Sequence, residues 1–298
     1  MRVDVYVPLV LSALLAAVSP AIGRRLAPAP ATRALTLAAV LSAAATTWAL
    51  LLLSATLITE TPPVEAQARE GGRHIAEPVP EAVAYAAVLA LALIAYRLYR
   101  VLRAQHTLRR ALRRLREDHP SSTELIVINS PVAEAFAIPG TPGRILASSA
   151  MLSALDPAER RVLLAHERAH LTHHHALLSA GAALAAAANP LLRPLHTTVT
   201  FLIERWADEH AAHTVGDRNT TARALARAAL TAHSTRPADR LAFTDHTVTR
   251  RITALRTTPP PNLRTIAAAV LALGAFATLG AADATSDLVQ LLAGALPW

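Results

Sequence analysis

Two histidines four residues apart, His166 and His170, bracket a glutamate in the pentapeptide His-Glu-Arg-Ala-His. Residues at this spacing share one face of a helix, so both imidazoles can reach a single metal ion. Glu167 then projects beside them, where an activated water would sit and lose its proton. The chemistry implied is hydrolysis at a zinc centre. Such a centre needs a third protein ligand and an open fourth position. The later run Glu204-Arg205-Trp206-Ala207-Asp208 carries two carboxylates, again four apart. Glu204 is the candidate third ligand. Asp208, one turn on, can accept the outer ring N–H of a ligand histidine. Five further histidines, His173, His174, His175, His210 and His213, read as interfacial or solvated groups rather than ligands.

These side chains need two helices to hold them. Asp156-Pro157-Ala158-Glu159 starts the first. Asp156 can cap it, Pro157 suits the first helical position, and Glu159 can close a capping box. The same helix is expected to run on until Asn189-Pro190. The second should begin near Pro194, pass through Glu204 and Asp208, and stop at Gly216. Upstream, 125–129, 135–138 and 144–148 read as short strands around the turn signal Pro-Gly-Thr-Pro-Gly.

The rest of the chain is unusually apolar: 53% of its 298 residues are hydrophobic, yet only 4% are aromatic. With no cysteine, thiolate metal sites and disulfides are excluded. Residues 5–22, 35–58, 82–96 and 263–282 are each long and apolar enough to be read as membrane spans. Loop charges give an orientation. Arg24, Arg25 and Arg33 follow the first span, and eight arginines lie between 97 and 116. The segment 60–81 instead carries Glu60, Glu65, Glu70, Glu77 and Glu81. The positive-inside rule then puts 24–34 and 103–262 in the cytoplasm, with both termini and 60–81 outside. The net charge of +8 is therefore a membrane-topology signal, and no direct nucleic-acid partner is expected. The Arg-rich helix at 103–116 reads as a solvated or headgroup-facing face. The apolar stretch 176–203 fits either a dip into the bilayer or core packing.

HERAH followed by ERWAD resembles the HExxH…ExxxD pattern of gluzincin metallopeptidases. The stretch from Ala135 to His170 is similar to two integral-membrane families, the BlaR/MecR-type antirepressor peptidases and the HtpX-like peptidases. Three spans, a cytoplasmic protease segment and a final span resemble the BlaR/MecR arrangement more closely. Only about 15 residues follow the final span, so the penicillin-sensing domain of that family is not expected. The resemblance implies zinc ligation by His166, His170 and Glu204, acid/base catalysis by Glu167, and an outer supporting role for Asp208. It also implies that an edge strand at 144–148 holds an extended substrate by strand addition. Arg251, in Arg251-Ile252-x-x-Leu255, resembles a motif near the end of the protease segment. It is a catalytic candidate for stabilising transition-state charge, with a solvent-exposed arginine as the competing reading.

The expected fold is mainly α: a polytopic membrane protein with a cytoplasmic gluzincin-type domain, helical with a small β-sheet. Its parts are 1–102 (three spans and the outer loop), 103–262 (the zinc peptidase) and 263–298 (a fourth span and outer tail). The expected function is a zinc metalloendopeptidase of the cell membrane, cutting a cytosolic or membrane-associated protein, with a transcriptional repressor as one candidate. An HtpX-like quality-control or maturation protease is the alternative. A non-catalytic membrane signalling protein is a third reading, and the intact Glu167 argues against it.

Overall fold

Alanine and leucine dominate the chain and both favour helix, so the long apolar stretches form helices. The computed structural model describes residues 6–59, 80–119, 123–235, 244–257, 268–272 and 274–276. The first three helices are α1 (Val7–Arg25), α2 (Pro28–Thr59) and α3 (Glu81–Glu117). All three are long and apolar enough to cross a membrane. Most of the outer loop at 60–81 and of the fourth span at 263–282 lies outside the described residues. Residues 268–272 and 274–276 are helical, and Gly274 sits so close to α2 that an added Cβ would meet Ala38 Cα at 2.9 Å.

The third span and the Arg-rich segment were expected as separate helices. They form one unbroken helix, α3, with Arg114 and Arg116 in its last turn. No proline or glycine interrupts residues 81–117, so nothing breaks the hydrogen-bond ladder. At roughly 55 Å, α3 exceeds the thickness of a bilayer core.

Next comes a three-stranded sheet of β1 (Leu125–Ile128), β2 (Ala135–Ile138) and β3 (Arg144–Ser148). Its order is β1-β3-β2, with β1 parallel and β2 antiparallel to β3. This corrects the edge-strand expectation: β3 lies in the middle, and β1 and β2 are the edge strands, β2 being the one packed beside α5. Ile126, Ile138 and Leu146 bury one face of the sheet, with Leu112 and Leu115 of α3 packed against them.

The helical remainder is α4 (Ser149–Ala154), α5 (Pro157–Thr172), α6 (His175–Ala188), α7 (Arg193–Val215), α8 (Arg218–Thr235) and α9 (Thr244–Arg256). A short 3-10 turn at Pro190–Leu192 joins α6 to α7. The helix starting at Asp156 therefore stops at Thr172 instead of Asn189. His174 takes a left-handed conformation, with φ of 52°, and ends the ladder. This conformation costs an L-residue about 1 kcal/mol. Gly216, with φ of 76°, ends α7 as its sequence position implied.

The helices α6 and α7 form a hairpin packed among α1, α2 and α3. Leu15 and Leu35 of the first two helices share one core with Leu192, Leu195, Val199 and Leu202. Polar contacts mark the path of α7 along α1. Arg205 Nη1 donates to the Gly23 carbonyl at 3.0 Å, Thr198 Oγ1 lies 3.4 Å from Ser19 Oγ, and Asn189 Nδ2 donates to Ser12 Oγ at 2.9 Å. Asn189 also donates to Thr46 Oγ1 of α2 at 3.1 Å. One buried amide thus ties the hairpin turn to the middles of two long helices.

Candidate metal centre

The start of α5 is fixed by its own sequence. Asp156 accepts the N–H groups of Ala158 and Glu159, and Glu159 Oε2 accepts the Asp156 N–H at 3.0 Å. Glu159 is buried and also takes a hydrogen bond from Arg227 of α8 at 2.8 Å. Val162 and Ala165 then pack with Ala211 of α7 and Ala224 of α8. Small residues at this contact let the helices approach closely, which turns the polar faces of α5 and α7 toward each other.

On those faces, His166 Nε2 lies 3.2 Å from His170 Nε2. The Glu204 carboxylate lies 3.7 Å from His166 Nε2 and 3.8 Å from His170 Nε2. One donor atom from each residue falls within 4.8 Å of the others, and no other such group occurs among the described residues. Tetrahedral zinc, with bonds of about 2 Å, spaces its donors roughly 3.3 Å apart. Two imidazoles and one carboxylate also match the ligand types of a catalytic zinc site. The donor set therefore fits zinc.

Outer contacts orient these side chains. Asp208 Oδ1 lies 3.1 Å from His166 Nδ1, on the far side of the ring from Glu204. Arg251, from α9, donates to both Asp208 oxygens and also reaches Glu204 Oε2 through Nη1 at 2.9 Å. Its side chain is only 11% exposed, which overturns the reading as a solvent-exposed arginine. His175 departs from expectation too. It is buried, and its Nδ1 lies 3.0 Å from His170 Nδ1. His173 stacks on Trp206 at 4.5 Å between ring centroids and approaches His210 at 3.2 Å, while His174 and His213 are exposed. The signal for His175 lay in the break at His174, which sequence periodicity does not reveal.

Electrostatics follow from this geometry. Burial opposes charge on His166, but Asp208 and Glu204 outweigh it and raise the imidazole to about 10. Burial, aided by His166, lowers His170 to about 4. Burial also opposes charge on Glu204, yet the facing His166 and the Arg251 guanidinium hold its carboxyl well below the usual range. Glu167 is buried beside the donors, and burial pushes its carboxyl up. The Ala137 backbone on β2 faces the carboxyl and partly offsets that rise.

That contact is a consequence of register. Ser148 N–H bonds the Glu134 carbonyl, and Ala135 pairs with Ala147. Antiparallel alternation then turns the backbone groups of Ala135 and Ala137 away from β3, toward α5. A cavity of about 260 Å³ opens beside Glu167 and Glu204, lined by Met151, Val162, Leu163, Leu225, Ala228 and Ala232.

Residues 100–188 match the model of Peptidase family M48. The match takes in the basic end of α3, the sheet, α5 and α6, and indicates a peptidase, a hydrolase. Metallopeptidases of this family typically use zinc, in keeping with the donor set. The matched stretch holds His166, Glu167 and His170 but ends before Glu204. It also does not separate the BlaR/MecR type from the HtpX type. No curated protein and no solved structure matches the chain.

Proposed function

We propose that the protein is a membrane-embedded zinc metalloendopeptidase that cuts a cytosolic or membrane-associated protein. The observation that carries this reading is the convergence of His166, His170 and Glu204 beside buried Glu167, inside a stretch matching a peptidase family. A zinc ion bound there supplies Lewis-acid polarisation of the scissile carbonyl and acidifies the attacking water. Glu167 takes a proton from that water as its oxygen bonds to the carbonyl carbon. It then delivers the proton to the amide nitrogen as the C–N bond breaks. A carboxyl raised by burial suits both steps. The outer edge of β2, which faces Glu167, receives the substrate as an added strand, in place of the expected 144–148 strand. The cavity beside Glu167 takes an apolar side chain. Arg251 acts through Asp208 and Glu204, holding the ligand cluster in place.

In the membrane reading, α1, α2 and the apolar part of α3 span the bilayer, with Arg24, Arg25 and Arg33 on the cytoplasmic side. The Arg205 contact with Gly23 and the packing of Arg33 4.7 Å over the Trp206 ring support a site on that same side. Gly23 and Ser12 are eleven positions apart on α1, a rise of about 16 Å. Asn189, bonded to Ser12, then lies near the middle of a core about 30 Å thick. The α6–α7 hairpin is thus re-entrant. Arg193, exposed at its turn, puts one charge at that depth, and its long side chain must extend to water. A transcriptional repressor is the substrate that the BlaR/MecR resemblance brings to the chain.

The test is zinc analysis of the purified protein together with a proteomic comparison of wild type and Glu167→Gln cells. A protein that is cut only in wild type supports the reading. Absence of zinc, or identical proteomes, overturns it.

A further inference from the structure

His175 is a buried imidazole that peptide hydrolysis does not itself require. Its ring meets His170 edge-on, with centroids 4.8 Å apart and planes at 84°. The two Nδ1 atoms are 3.0 Å apart, so one must carry a proton and the other accept it. His170 Nε2 faces His166 and Glu204, the metal-directed side. A ligand nitrogen must be unprotonated, so the His170 proton belongs on Nδ1. His175 Nδ1 is then the acceptor, and the proton of His175 sits on Nε2.

That Nε2 is buried with no hydrogen-bond partner among the described residues. An unpaired buried N–H costs stability, and an apolar side chain of similar size would avoid it. What the imidazole gains is therefore on its Nδ1 side. Its orientation comes from packing: the Trp206 ring lies 4.8 Å away and the His173 ring 5.8 Å away. The left-handed residue His174 ends α5 and lets α6 begin with His175 turned back onto His170. His166 is braced by Asp208 in the same manner, so each ligand histidine has its own outer partner.

We propose that His175 is a positioning residue for the metal centre, accepting the Nδ1–H of His170 and so fixing the tautomer and ring angle that aim Nε2 at the ion. The inference rests on the proposed zinc site, but its test does not depend on cleavage. Zinc affinity is measured by chelator competition on the full-length protein in detergent, for wild type, His175→Leu and His175→Asn. Cobalt-substituted samples supply a visible spectrum that reports ligand geometry. Losing the acceptor in His175→Leu should weaken zinc binding about 10- to 100-fold and shift the cobalt bands. The amide oxygen in His175→Asn should restore most of both. Wild-type affinity and spectrum in His175→Leu, or equal losses in both variants, would overturn the proposal. Should His175→Leu not fold, nitrogen-15 histidine NMR of the zinc-loaded wild type decides. One imidazole N–H coupled across a hydrogen bond to a second imidazole nitrogen is expected, and its absence overturns the pairing. Wild-type protein that binds no zinc would sink the proposed function itself, a separate outcome.

Discussion

Arg251 grips the Asp208 carboxylate through two parallel hydrogen bonds, Nε to Oδ2 at 2.8 Å and Nη2 to Oδ1 at 2.7 Å. Asp208 is 2% exposed, so this charge pair is taken almost wholly out of water. Without Arg251, two buried carboxylates, Asp208 and Glu204, would share His166 alone as a counter-charge. Arg251→Met should therefore destabilise the protein by about 3–5 kcal/mol, read as a lowered Tm. Arg251→Lys should recover only part, because an ammonium cannot reproduce the planar fork. A Tm for Arg251→Met equal to wild type would contradict the importance given to the pair.

Glu167→Gln keeps the shape of the side chain and removes its base. Cleavage should fall by about 10²- to 10⁴-fold while one zinc ion per chain is retained. His170→Ala and Glu204→Ala should lose the metal as well. Metal content and turnover on the same preparations separate the two classes. Proteolysis surviving in Glu167→Gln would sink its acid/base role.

Zinc uptake should release protons in a definite number. His166, raised to about 10, is charged in the metal-free protein at pH 7, and must become neutral to act as a ligand. His170, lowered to about 4, is already neutral there. About one proton should leave per zinc ion bound, measurable by calorimetry in buffers of different ionisation enthalpy. The linked stability has the same sign. Charge on His166 stabilises the metal-free fold below pH about 6.5, its unfolded value, and this contribution is lost as pH rises through about 10. Zinc uptake at pH 7 with no proton release would contradict the charge assigned to His166.

The cavity beside Glu167 predicts side-chain selectivity. Ala228 lines it, and Ala228→Phe would fill part of its volume. Substrates with a large apolar side chain next to the scissile bond should lose about tenfold or more in kcat/KM. Those with alanine there should change little. Equal effects on both peptide classes would place the pocket outside the substrate path.

Depth can be read directly, since the chain has no native cysteine. A fluorophore on Leu191→Cys, at the hairpin turn, should be quenched most by lipids carrying a nitroxide deep in the acyl chain. One on Leu230→Cys, an exposed position of α8, should respond to aqueous quenchers instead. Aqueous quenching at both sites would rule out the re-entrant hairpin.

Much of the site was legible because its signals are local. The spacing of His166 and His170, and of Glu204 and Asp208, is set by helix geometry. The capping box at Asp156 and the stop at Gly216 are written in single residues. What escaped depended on tertiary choices. The break at His174 has no glycine or proline to announce it, so His175 read as one more solvated histidine. Strand order cannot be read from three short apolar runs, and β3 was assigned the edge that β2 holds. Arg251 was singled out by its Arg-Ile-x-x-Leu motif, but its partner Asp208 lies 43 positions away, so the pairing itself could not be read.

The contacts that run from Arg205 through Thr198 to Asn189 have a consequence for biogenesis. The helix that carries Glu204 is the same one that packs against both α1 and α2. On the proposed zinc reading, a newly made chain whose hairpin has not docked would hold the two histidines without Glu204. On the proposed reading, assembly of the bundle is also the event that completes the site, and an unassembled copy would not cut.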